Sequence, residues 1–156
     1  GVPYTILRNG WYTENYTGSL SGAIASGAFI GSAGNGKIAS AARADFAEAA
    51  AVVITSDGHV NKVYELAGDE AYTLTELAAE VSSQLGKVLP YTDLPESEYA
   101  GILKNIGVPE GFAAAIASWD VGASKNDLFD DGHQLSKLIG RTTTPLSKVV
   151  AEALAQ

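Results

Sequence analysis

Apolar positions along the chain fall into short continuous runs and longer helically spaced sets. Tyr4 to Leu7 is a short apolar run that reads as a strand, and it opens directly onto the polar and aromatic stretch RNGWYTENY. Glu14 to Ser26 continues as a helix, with Gly27 as its stop. AFIGSAGNGKIAS reads as two extended runs around Gly34, Asn35 and Gly36, the composition of a hairpin turn. Ala44 to Thr55 places Phe46, Ala49, Ala50 and Val53 on one helical face. Lys62 to Gly68 is a strand, and Thr73 with Glu76 forms a capping box that opens a helix over Leu74 to Leu85, closed by Gly86. VLPYTDL is a short extended piece. Helices are predicted over Glu96 to Ile106, over Glu110 to Trp119 and after Pro145, a residue suited to a first helical turn. Strands and helices alternate early and helices dominate later, an α/β pattern with a helical C-terminal part.

Composition narrows the function classes. With 156 residues and 46% apolar content, the chain has enough material for one domain and its core. The net charge of -8, with no basic run, argues against nucleic acid or an anionic membrane as partner. The absence of Cys removes thiolate metal sites, disulfides and Cys nucleophiles, and fits a reducing cytoplasm. No apolar run approaches the length of a membrane span, and no signal peptide is visible. GVPYTILRN begins almost inside a strand of the kind buried on both faces of a parallel sheet, so the chain is expected to be part of a longer protein.

Most motif-like stretches carry no chemistry. GSAGNGKI nearly spells a phosphate loop, but Ile38 stands where a hydroxyl is needed and an extended run follows instead of a helix. No Gly-rich dinucleotide fingerprint occurs elsewhere. His59 and His133 lie in loop-like, glycine-bearing stretches near acids (Asp57; Asp130 and Asp131), without metal-ligand spacing, and no metal is expected. DLFDDGH lacks the alternating oxygens of a calcium loop, and Asn15-Tyr16-Thr17 is a chance glycosylation pattern. RNGWYTEN is different, because it follows the C-terminal end of a strand, where open α/β sheets place ligands. Polar and aromatic groups there face a ligand or another part of the protein. Arg43 can offer its guanidinium to a phosphate or pair with a carboxylate such as nearby Asp45.

GVPYTILRNGWYTENY, GAFIGSAGNGKIASAARADFAEAAA, GKVLPYTDL and LFDDGHQLSKLIGR together resemble the C-terminal half of NmrA-like, atypical short-chain dehydrogenase/reductase proteins, on their quinone-reductase branch. The resemblance covers essentially the whole chain. It implies the C-terminal portion of a Rossmann-like parallel sheet plus a smaller, mainly helical substrate lobe. Residues 1–156 would then form the C-terminal part of an NAD(P)-binding domain whose Gly-rich N-terminal half is absent. By resemblance, Asn9, Gly10, Trp11, Tyr12, Thr13 and Glu14 would line the nicotinamide side of NADPH, with NADH as the second candidate. Arg43 would reach the cofactor, and Asn15 would face a quinone-like acceptor as the catalytic amide. The resemblance also admits a non-catalytic, dinucleotide-binding regulator, and a homodimer is left open. An isolated half would expose a sheet edge and lack activity.

Overall fold

The computed structural model describes residues 1–155. Two small parallel sheets organise the chain. In the first, β1 (Thr5–Asn9) pairs with β3 (Lys62–Leu66), from Thr5 opposite Lys62 to Asn9 opposite Leu66. In the second, β2 (Phe29–Gly31) pairs with β4 (Tyr91–Asp93). Parallel pairing requires long crossovers, and the helices supply them.

β1 was expected to be buried on both faces, and it is buried on one. Leu7 and Tyr64 face a core of Phe46, Ala49, Leu66 and Leu135, built with α3 (Arg43–Thr55) and α7 (Gln134–Ile139). Ile6 and Val63, pointing the other way as strand alternation dictates, remain 43% and 42% exposed. Among the described residues no layer covers that face.

The expected helix over Glu14 to Ser26 is two helices, α1 (Glu14–Thr17) and α2 (Leu20–Ser26). Gly18 and Ser19 interrupt them, and the Ser19 hydroxyl donates to the Tyr16 carbonyl at 2.8 Å, competing with helical continuation. Gly27 ends α2 in the left-handed conformation, as expected.

The expected hairpin around Gly34 does not form. The chain does turn there, with Gly36 N–H donating to the Ala33 carbonyl at 3.0 Å, but the two arms diverge to different partners. Phe29–Gly31 joins β4, while Ile38 exchanges backbone hydrogen bonds with Tyr72 and Ala41 pairs with the loop after β1. Long-range pairing outcompetes the local turn, and it carries residues 38–41 beside Trp11 to Thr13.

The second core is larger and belongs to the helical lobe: Tyr16, Leu20, Phe29, Ile38, Leu74, Leu77, Val81 and Val150 pack between α2, α4 (Leu74–Leu85) and α8 (Leu146–Leu154). The Thr73 capping box is present, with Glu76 N–H donating to the Thr73 hydroxyl at 3.1 Å and Thr73 N–H to Glu76 Oε2 at 2.7 Å. α5 (Glu96–Asn105) lies against α6 (Glu110–Ser124). α6 outruns its predicted end at Trp119 by more than a turn, and α7 follows His133 in a stretch to which the sequence assigned no element.

Candidate functional site

β1 ends at Asn9 and the chain turns at Gly10, whose N–H donates to the Leu66 carbonyl at 2.8 Å. A Cβ at this position would lie 2.8 Å from the same oxygen, so glycine is what lets the loop press against the end of β3. The loop is then fixed by Ala41, whose N–H donates to the Trp11 carbonyl and whose carbonyl accepts from Thr13 N–H, both at 3.0 Å. Extended backbone sends neighbouring side chains to opposite sides. Trp11 enters the helical lobe, its ring 5.8 Å from Trp119 and 6.3 Å from Tyr16. Tyr12 turns to α3, its ring 5.2 Å from Phe46.

Arg43 is where the polar residues converge. Its Cζ stands 4.2 Å above the Tyr12 ring, and its Nη2 donates to Asn15 Oδ1 at 3.0 Å. A guanidinium has donors only, so the contact fixes which way the Asn15 amide faces. Oδ1 is committed to Arg43, and Nδ2 is left without a protein acceptor among the described residues on an exposed side chain. Glu14 Oε1 accepts from Arg43 N–H at 2.9 Å, a carboxylate at the N-terminus of α3 where the helix dipole favours negative charge. Asn9 Nδ2 donates to the Tyr12 hydroxyl at 3.3 Å. Asn9, Tyr12, Arg43 and Phe46 border an open recess of about 250 Å³; a second, of similar volume, lies between Asn9, Gly10, Leu66 and Phe129.

Beneath the loop the groups are buried. Thr13 is 2% exposed, its hydroxyl 2.8 Å from Ser40 Oγ, which in turn bonds the Tyr72 hydroxyl. Burial pushes the Tyr72 phenol up to about 12, against the opposing effect of its hydroxyl partners. On the other side, Asp120 from α6 accepts from Ser32 N–H at 2.9 Å. Desolvation is the main cause, with the Asp93 charge adding, that raises the Asp120 carboxyl to about 6. Burial, reinforced by the Asp120 charge, also raises the Tyr16 phenol. Trp11 Nε1, Tyr16 Oη, Ser32 Oγ and Glu14 Oε2 are buried without a hydrogen-bond partner, three of the four between Trp11 and Tyr16, on the loop and the start of α1. Such groups are costly where nothing pairs with them, and they concentrate where ligands or ordered water complete a site.

No protein-family model matches the chain. It is 58% identical over 151 residues to quinone oxidoreductase 2 of Escherichia coli K12, covering 97% of this chain and 53% of that protein. A crystal structure of the NADPH-dependent quinone oxidoreductase of Escherichia coli in complex with NADPH superposes with a TM-score of 0.96 at 56% identity, over 99% of this chain and 54% of that one. The triphenylmethane reductase of Citrobacter sp. superposes at 0.92 with 37% identity, over 100% of this chain and 54% of that one. In sequence and fold the chain is similar to these reductases over nearly its whole length. It spans about half the length of these relatives.

The loop residues singled out from sequence do come together with Arg43. They divide by exposure. Asn9, Gly10, Asn15 and Arg43 are open to solvent, Trp11, Tyr12 and Glu14 are partly covered, and Thr13 is enclosed. Arg43 does not pair with Asp45, which is fully buried and instead accepts from Arg141 Nη2 at 2.7 Å and from Thr144 N–H at 2.7 Å. His133 bonds Asp69 rather than Asp130 or Asp131. Ser40, Tyr72 and Asp120 were not singled out, because their contacts with the loop region come from distant parts of the chain and no local spacing marks them.

Proposed function

We propose that this chain is the acceptor-side part of an NAD(P)H-dependent oxidoreductase that transfers a hydride from nicotinamide to a quinone-like acceptor. Residues 1–156 are its C-terminal part, and the first 15 of them hold the floor of the reaction site. The observation that carries this reading is the oriented amide of Asn15, whose oxygen is held by Arg43 while its N–H groups stay free. Reducing a quinone places negative charge on an oxygen, and a prepositioned neutral donor stabilises that charge without itself changing charge. Asn15 Nδ2 is such a donor.

NADPH, with NADH as the second candidate, supplies the hydride when bound. The chain's residues bind and orient. Gly10 keeps the loop low against β3, Tyr12 and Arg43 form one wall, and Trp11 forms the other and excludes water. Arg43 acts through Asn15 and Tyr12. The NADPH complex of the relative with 56% identity supports the choice of cofactor.

Asn15→Ala in the intact protein tests the reading, with NADPH and a simple benzoquinone as substrates. Turnover falls at least tenfold, about 1.4 kcal/mol of transition-state stabilisation. Unchanged kinetics remove the amide from the mechanism. A protein that binds NADPH and leaves it unoxidised in the presence of the quinone is a dinucleotide sensor instead.

A further inference from the structure

α5 carries Tyr99, Ile102 and Leu103, with Ile106 just beyond its end, at the spacing of an inward-facing apolar stripe, yet none of its residues is buried. Ile106 is 72% exposed. The stripe borders a cleft of about 490 Å³ between α5 and α2, closed at its base by Phe29 and Ile30. That volume falls within the range of about 300–1,000 Å³ typical of small-molecule sites. We propose that this cleft binds a small uncharged molecule with a hydrocarbon body, at a site distinct from the loop after β1.

The lining decides the ligand's chemistry. None of the 12 lining residues carries a charge, so an ionic group drawn inside would lose its hydration with nothing in return. Polar groups other than backbone are the Tyr99 hydroxyl and three serine hydroxyls from α2 and its N-cap. Ser19 and Ser26 already donate to the Tyr16 and Ala23 carbonyls, at 2.8 and 3.1 Å, which leaves their oxygens as acceptors. The ligand therefore carries at most one neutral polar group, such as a hydroxyl. A second copy of the chain is a poor fit, because a stable protein interface removes about 800 Å² from each partner, more than one concave cleft of partly buried residues presents.

Gly22 gives a way to close the site. It lines the cleft, and a Cβ there meets nothing within 4 Å. Gly22→Phe places a ring in the open space and removes a mid-helix glycine, so the variant keeps its fold. The probe is farnesol, titrated into the intact protein by calorimetry and by ligand-observed NMR. It binds the wild type and raises its melting temperature, and Gly22→Phe weakens binding at least tenfold with an unliganded melting temperature equal to or above that of the wild type. Absence of farnesol binding, or equal affinity in the two proteins, overturns the proposal. So does a dimer in the wild type that Gly22→Phe abolishes, since the cleft would then be a contact between copies. None of these readouts needs NADPH or turnover, so the result stands apart from that of the quinone assay.

Discussion

The Arg43 guanidinium hydrogen-bonds Asn15 Oδ1 at 3.0 Å while lying 4.2 Å over the ring of Tyr12. One side chain thus fixes both the donor amide and the aromatic wall beside it. It does so across 28 residues of sequence, because Ala41 holds the loop against the start of α3.

Arg43→Ala releases the Asn15 amide to rotate. Turnover with NADPH and a simple quinone drops by about tenfold, corresponding to about 1.4 kcal/mol. The melting temperature changes little, since an exposed cation over a ring contributes about 0.5–1 kcal/mol. Arg43→Lys keeps the charge and loses the planar fork, and falls between the two. Steady-state kinetics of the three proteins check the order; wild-type turnover in Arg43→Ala would show that the amide needs no such support.

Asp120 makes stability depend on pH with a definite sign. Its carboxyl is raised from 3.8 to about 6 by burial, so between these values the folded state binds the extra proton. Its contribution is greatest below the unfolded value, declines as pH rises through about 6, and is absent above that. Asp120→Asn removes this dependence and retains an acceptor for Ser32 N–H. The stability of the variant relative to wild type should improve by up to about 3 kcal/mol between pH 4 and pH 8. Denaturant titrations at the two pH values measure this, and a difference that does not vary with pH would rule out the raised carboxyl.

Asp45 is a fully buried carboxylate that joins α3 to the segment before α8 through Arg141, Thr144 N–H and the Thr144 hydroxyl. Asp45→Ala leaves the Thr144 N–H and hydroxyl unpaired, while Arg141 keeps Glu48, and costs about 1–3 kcal/mol. Asp45→Asn, which keeps one acceptor, costs less. Equilibrium unfolding ranks the pair; equal losses would mean that packing rather than the hydrogen bonds is at stake.

Gly68 sits so close to Ser40 that a Cβ would fall 2.0 Å from the Ser40 carbonyl oxygen, an atom of the backbone with little room to yield. Gly68→Ala destabilises by about 3 kcal/mol, the upper end of ordinary overpacking. Since Ser40 bonds Thr13, the same change displaces the loop, and activity measured well below the melting point falls as well. Full activity in a folded Gly68→Ala protein would uncouple Ser40 from the site.

Local chemistry in the sequence was enough to place most elements. The Thr73 box, the glycines at 27 and 86 and the apolar spacing of α3 and α4 act within a few residues, and each determined an element's bounds or its existence. Long-range competition was not legible. Residues 29–31 and 38–41 look like hairpin arms, and nothing nearby shows that β4 and the β1 loop are their true partners. In the site, RNGWYTEN drew notice because polar and aromatic groups directly after a strand are unusual. Asp120 drew none, since an acid just past the predicted end of a helix reads as solvent-facing until Ser32 is brought against it.

Trp11 and Tyr12 are consecutive in the chain, yet each ring is anchored in a different core. The peptide between them works as a clasp whose two ends are sewn to separate pieces of cloth. A substitution that shifts the helical lobe pulls on Trp11, and one that shifts α3 pulls on Tyr12. Either strain arrives at the same few atoms beside Asn15. Changes far from the proposed reaction floor should therefore retune it, and variants selected for altered acceptors should recur at the borders of both cores.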